Sequence, residues 1–222
     1  MRIFNRILIL GATGRTGRYI LDASLHRGFK VNCLVRDKSK VHVQHENLQV
    51  FEGSPSDYQA LRDASKGCHY LISTLNISRT SDFPWAKLRT PENFLSNVMH
   101  NILTLANTSP FKKVVLCSAW GVAETNNDLP IWFRWMIDNS NIKIAYKDHE
   151  KQEKLLMQSD LNWTIIRPVG LTNSKKIQDI IESFGNEPKP ALTISRKSVA
   201  RYMIDALENQ ELSTKTPVIS AK

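Results

Sequence analysis

Arg6-Ile7-Leu8-Ile9-Leu10-Gly11-Ala12-Thr13-Gly14-Arg15-Thr16-Gly17 decides how the rest of the chain is read. Four consecutive aliphatic residues run into three glycines spaced three apart, and a helical pattern follows at once. An apolar run bounded by glycine reads as a strand buried on both faces. In such a turn Gly11 permits a sharp departure from the strand, Gly14 lets backbone approach a pyrophosphate, and Gly17 brings the next helix close. That helix aims its free N–H groups and the positive end of its dipole at the phosphates. Thr13 and Thr16 add hydroxyls there, and Arg15 a guanidinium. Strand, glycines and helix in this order favour a dinucleotide site over a glycine-rich turn that binds nothing.

Working outward, residues 15–27 read as an amphipathic helix, with Tyr19, Ile20, Ala23 and Leu25 toward a sheet and Gly28 past its end. Residues 31–35 form a second strand that ends at Arg36, 19 residues beyond Gly17. At about this interval an acidic residue takes a ribose 2′-hydroxyl and a basic one suits a 2′-phosphate. Arg36, with Lys38 and Lys40 close behind, therefore points to NADP. A net gain of only about 1.4 kcal/mol there gives a tenfold preference. Further strands are expected at 48–51, 69–73, 113–117 and 163–166, and helices at 57–64, 91–106 and 142–158. The strand at 69–73 delivers Thr74, Leu75 and Asn76 to the edge that carries the glycine loop, where they floor a cleft. Residues 77–90 lack a clear period and make a long loop, a candidate lid or substrate wall. The aromatic stripe in 131–137, opened by Pro130, reads as core packing, with a roof over a flat substrate as the alternative. Residues 172–190 resist assignment; 192–194 read as a short strand, Ser195 or Ser198 as the cap of a last helix, and 217–220 as a closing edge strand. Strands alternating with helices imply an α/β class: one Rossmann-like, doubly wound, mostly parallel sheet with helices on both faces. A single domain spans 1–222, with about 165–222 adding substrate-side elements.

Composition bounds the partners. Lysine and arginine number 30 against 21 acidic residues, a net charge of +9. The basic residues are scattered, without a basic tail, finger spacing or aromatic-interleaved basic strand, so nucleic acid is not expected. Cys33, Cys68 and Cys117 fall in or beside buried strands and build no metal spacing, which fits three buried thiols in a reducing compartment. The amino terminus leads directly into the first strand, and no apolar run approaches membrane-spanning length, so the expectation is a cytoplasmic protein without a membrane partner. The oligomeric state, monomer or homodimer, stays open.

Four further blocks join the glycine loop: Leu34-Val35-Arg36-Asp37, Val114-Val115-Leu116-Cys117-Ser118-Ala119, the run from Ser159 to Pro168, and Ile194-Ser195-Arg196-Lys197-Ser198-Val199-Ala200. In this order they make the chain resemble the atypical short-chain dehydrogenase/reductases, in their NmrA-like and biliverdin IXβ/flavin reductase branch. The resemblance implies that Gly11, Thr13, Gly14, Arg15, Thr16 and Gly17 hold the pyrophosphate and that Arg36, with Lys40, meets the 2′-phosphate. It further implies that Ser118 and Ala119 lie beside the nicotinamide and that Pro168 closes over it.

The departures bear on mechanism. Relatives in the wider superfamily use a tyrosine with a lysine four residues later, and the lysine lowers the tyrosine's pKa. Tyr146 instead has Glu150 at that spacing, and His149 stands where many NmrA-like relatives keep a lysine. The second histidine of the flavin-reductase branch is replaced by Gly170, and Ser54 follows Gly53 where many relatives carry aspartate. Ser118, Tyr146 and His149 are the catalytic candidates, although His149 reads more readily as a helix-surface residue. The expected function is an NADPH-dependent oxidoreductase that passes hydride to a small flat acceptor, flavin- or quinone-like, able to take its proton from water. The alternative is a non-catalytic NADP(H) sensor that docks a partner protein through the 131–137 stripe. Epimerase or dehydratase chemistry on a nucleotide sugar is disfavoured without the tyrosine–lysine pair.

Overall fold

Successive side chains of a strand point to opposite faces, so four aliphatic residues in a row demand cover on both sides. The computed structural model, which describes residues 5–222, supplies that cover. Residues 1–4, through which the sequence leads into the first strand, lie outside the described residues. β1 (Arg6–Leu10) pairs in parallel with β2 (Lys30–Val35) on one side and β4 (Tyr70–Ser73) on the other. β3 (Leu48–Glu52) flanks β2, while β5 (Lys113–Cys117) and β6 (Trp163–Pro168) extend the sheet beyond β4, all in parallel. β10 (Val218–Ala221) lies beside β6, and β8 (Ile180–Ser183) closes that side antiparallel to it. Among the described residues the order is β3-β2-β1-β4-β5-β6-β10-β8. A separate parallel ladder joins β7 (Gly170–Thr172) to β9 (Thr193–Ser195).

Helices cover both faces. α1 (Gly17–His26) and α6 (Arg196–Glu208) lie over Ile7 and Ile9 and bury Ile20, Leu25, Val199 and Met203 there. α2 (Tyr58–Ser65), α3 (Phe94–Ala106) and α5 (Ile142–Met157) cover Leu8 and Leu10 with Leu61, Val98, Met99 and Leu156. The doubly wound α/β architecture is the one expected from the alternation of elements.

Three expectations are corrected. The last strand is internal, because a pairing partner for it comes from β8, inside the stretch that had resisted assignment. Pro91 lies in the turn ahead of α3, where its carbonyl accepts the Phe94 N–H at 3.2 Å, rather than in the helix itself. The aromatic stripe is core only in part, through the buried Ile137 and the half-buried Phe133, which also lines the cleft. α4 (Ile131–Asp138) packs on α5 outside the sheet layers, so its one narrow inner face takes Ile137 while Ile131, Trp132 and Trp135 stay 78%, 64% and 61% exposed. Cys33 and Cys117 are buried and Cys68 is half-buried, and burial pushes all three thiols up to about 12.

A buried ionic cluster ties the carboxyl ends of these elements together. Arg167, at the end of β6 and fully buried, donates to both carboxylate oxygens of the equally buried Glu153 on α5, at 3.2 and 2.6 Å. Its Nη1, and Nη2 a second time, donate to Glu124, in the turn that follows β5. Burial works against the charge on Arg167, but these hydrogen bonds overcome it and raise its pKa. Removing Glu153 leaves the buried Arg167 with the exposed Glu124 as its one carboxylate partner. Glu153→Ala is therefore expected to lower unfolding stability by about 3 kcal/mol or more in denaturant melts, whereas an unchanged midpoint would show the cluster to be idle.

Candidate functional site

The order in which strands are added to the sheet reverses between the parallel β1 and β4, and a crevice opens outside their carboxyl ends. A cleft of about 580 Å³ occupies it, within the range of small-ligand sites. Its walls include the loop from Gly11 to Gly17, Arg36, the stretch from Thr74 to Asp82, Ser118 to Trp120, Phe133, Tyr146, His149, Pro168 to Leu171, and Arg196.

The loop geometry explains its glycines. Gly11 leaves β1 with φ +88°, a left-handed conformation that side chains disfavour, and its carbonyl accepts the Gly14 N–H at 2.9 Å. A Cβ on Gly17 would land on that same Gly11 carbonyl oxygen, so only glycine lets α1 start this close to β1. The helix begins at Gly17 rather than at residue 15 because residues 12–16 form the turn. Thr16 precedes it without a side-chain hydrogen bond, and the Arg18 N–H in the first turn is held by the Gly14 carbonyl at 3.1 Å. Arg36 lines the cleft at the end of β2 and has no ion pair or hydrogen bond among the described residues. Lys40 is placed otherwise: it pairs with Asp37 at 3.4 Å on the surface and takes no part in the cleft wall. Thr74, Leu75 and Asn76 follow β4 into the floor, where the Thr74 hydroxyl donates to the Leu10 carbonyl at 3.3 Å.

The catalytic candidates share the opposite end. Ser118 leaves β5, anchored by its N–H to the Ile166 carbonyl at 2.8 Å. Its hydroxyl is buried and has no hydrogen-bond partner, so it is open to a ligand in the cleft it lines. The Tyr146 hydroxyl donates to the Trp120 carbonyl at 3.2 Å, and burial pushes the phenol up to about 12. Glu150, in the place of the expected lysine, pairs outward with Lys154 at 2.6 Å.

His149 corrects its reading as a surface residue, being 3% exposed. The Gln152 side-chain amide lies 2.7 Å from its Nδ1, and the Asn76 Oδ1 lies 3.2 Å from its Nε2. An amide N–H that donates into Nδ1 leaves the ring proton on Nε2, which donates to Asn76. Burial pulls this histidine down to about 4, so it is neutral near pH 7. Asp148, the preceding residue, holds α5 in place. Its carboxylate accepts the Leu95 N–H at 2.6 Å and the Ser96 hydroxyl at 2.6 Å, which caps α3 from across the interface.

Several lining residues carried no motif in the sequence reading. The 77–90 loop folds back on itself through an Arg79–Leu88 bridge, and the Trp85 indole donates to the Asn139 carbonyl at the end of α4. That fold turns Arg79 and Asp82 into the cleft. Arg196, at the start of α6, lay in a quoted block but without a role; it donates to the Leu171 carbonyl at 3.1 Å and to Asn173 at 2.8 Å. Among the described residues, no three His, Cys, Asp or Glu side chains converge, and no helix is long and apolar enough to cross a membrane.

Comparison with known proteins agrees with this geometry. An oxidoreductase of Pestalotiopsis microspora is 25% identical over 222 positions, which cover 91% of this chain and 79% of that protein. A short-chain dehydrogenase/reductase of Veillonella parvula, solved in complex with NADP, superposes with a TM-score of 0.81 at 18% identity, covering 98% of this chain and 95% of the other. An anaerobillin reductase of Escherichia coli O157:H7 superposes at 0.79 with 17% identity, covering 98% and 97%. These two likenesses speak to the fold. Residues 11–210 match the NAD(P)H-binding family of proteins, and with a cradle for the coenzyme at the matching end of the sheet, the chain belongs to that family.

Proposed function

We propose that the chain is an NADPH-dependent reductase that passes hydride to a small flat acceptor of flavin or quinone type. The fit of the coenzyme rests on three features of the cleft: the glycine loop that no side chain could enter, the unpaired Arg36, and the partnerless Ser118 hydroxyl. The loop and the N-terminus of α1 would hold the diphosphate, Arg36 the 2′-phosphate, and Ser118, Ala119 and Pro168 the nicotinamide end. When bound, NADPH supplies the hydride. The protein supplies position and exclusion of water, with Ser118 orienting the ring or polarising the acceptor.

The observation that carries the acceptor class is the lack of a proton donor poised near neutrality. Tyr146 is spent on a backbone carbonyl and titrates near 12, and His149 is a neutral ring near 4. Neither group changes charge between about pH 5 and 10, which suits acceptors whose reduced form takes its proton from solvent. A relative named as an oxidoreductase is consistent with hydride transfer. The second reading, a sensor of the NADPH/NADP ratio, draws on the exposed Ile131, Trp132 and Trp135 face as a docking surface. A sensor would bind both coenzyme forms, change partner affinity between them and turn nothing over.

The chain with NADPH is expected to reduce FMN or a quinone at a rate that stays level from about pH 5 to 10. A limb near pH 6.5 would assign a titrating histidine and contradict this reading, and no NADPH oxidation across a broad acceptor panel would leave the sensor. Arg36→Ala is expected to weaken NADPH binding by about tenfold and NADH binding hardly at all; equal losses would remove the 2′-phosphate role.

A further inference from the structure

Tryptophan is highly buried on average, because its area rewards burial more than that of other side chains. Of the five tryptophans here, Trp120 and Trp163 are buried, whereas Trp85, Trp132 and Trp135 lie open. Phe83 is exposed too and tilts against Trp85 with ring centroids 5.2 Å apart, and Ile131 stands exposed next to Trp132. The two groups are joined into one rim. The Trp85 indole donates to the Asn139 carbonyl at 2.7 Å, the Asn141 N–H to the Pro84 carbonyl at 3.1 Å, and the Asn141 side-chain amide to the Trp85 and Ala86 carbonyls at 2.9 and 3.1 Å. This rim borders the cleft. Ser81 and Asp82 in the cleft wall run directly into Phe83, and the cleft-lining Phe133 packs on Trp132 with ring centroids 5.4 Å apart. Monomeric proteins rarely leave such an apolar patch open unless it docks on something.

Charge selects what it docks on. The stretches 82–89 and 130–143 hold Lys87, Arg89, Arg134 and Lys143 against Asp82 and Asp138, and Asp82 is already paired with Arg15 at 2.7 Å. A protein–protein interface gathers apolar groups at its centre and leaves charge to its edge. Here Lys87 and Arg134 each stand two residues from an exposed tryptophan. Indole rings settle where water meets lipid headgroups, and cations interleaved with them are drawn to anionic headgroups. We propose that this rim docks on the surface of an anionic lipid bilayer and sets the mouth of the cleft against lipid. The sequence expectation of no membrane partner rested on the lack of a spanning run, which an interfacial face does not need. Resting on the reductase reading, the acceptor that enters through this mouth is a lipid-dissolved quinone with an apolar tail. Hydride from the coenzyme and a proton from water convert it to the hydroquinone.

The chain is sedimented, without coenzyme, with vesicles of phosphatidylglycerol and with vesicles of phosphatidylcholine. Partition is expected to be about tenfold stronger onto phosphatidylglycerol, to weaken with added salt, and to shift tryptophan emission to the blue. The doubly substituted Trp132→Ala and Trp135→Ala chain, altered at exposed positions, is expected to keep its melting temperature and to bind phosphatidylglycerol about tenfold more weakly. Lys87→Glu is expected to weaken binding to phosphatidylglycerol about fivefold or more and to leave phosphatidylcholine unmoved. No partition onto either vesicle, or equal partition onto both, overturns the proposal. So does a dimer in analytical ultracentrifugation that the double substitution dissociates, which would assign the rim to a second copy of the chain. Partition is read apart from turnover: a chain that binds the vesicles yet oxidises no NADPH with a quinone dissolved in them keeps its docking face and loses the reductase reading.

Discussion

The carbonyl of Gly11 occupies the space that any side chain at position 17 would need. This one steric fact presses the first turn of α1 against the end of β1 and sets the positive end of its dipole at the mouth of the sheet. An anion placed there is held by backbone and by the helix dipole, with no side chain obligatory. The crevice beside it exists because strand order reverses between β1 and β4, and it is lined by what each neighbouring strand carries past its carboxyl end. The cradle is thus a property of the backbone, and the side chains around it set which dinucleotide and which acceptor are preferred.

Keeping those walls in register falls to buried charge rather than to apolar packing alone. Arg167 joins β6 to α5 and to the turn after β5, while Asp148 on α5 caps α3. Buried ion pairs gain little net stability over well-packed apolar groups, but they are intolerant of misplacement, which suits a site that must be held to fractions of an ångström. Both devices act on α5, the helix that presents Tyr146 and His149. The same helix supplies Gln152, whose amide fixes the tautomer of His149 and through it the side chain of Asn76 in the cleft.

What the sequence revealed divides along local and distant interactions. β1, the glycine loop, α1 and Arg36 were legible because their signals are local: a run of aliphatic residues, glycines at fixed spacing, and a residue at a fixed interval. The parallel sheet followed from alternation of elements. His149 was misread because the buried stripe of α5 around it is mostly polar, Asp148, Gln152 and Glu153, and its contact with Asn76 spans 73 residues. Arg167 carried no signal of its own in the sequence, because its partners Glu153 and Glu124 come from other segments. The placement of β10 depended on β8, a strand without a clear period, and α4 kept Trp132 and Trp135 outside while Phe133 turned inward. Asp82 and Arg79 entered the cleft only through the folding back of a loop that has no regular pattern.

The central claim is that the Gly11–Gly17 turn builds a seat for one nicotinamide dinucleotide at the switch point of the sheet. Calorimetric titration of the whole chain with NADPH tests it most directly. The account predicts saturable binding of one coenzyme per chain, accompanied by a rise in melting temperature at saturation. Absence of heat together with an unmoved melting temperature, at coenzyme concentrations far above those found in cells, would contradict it.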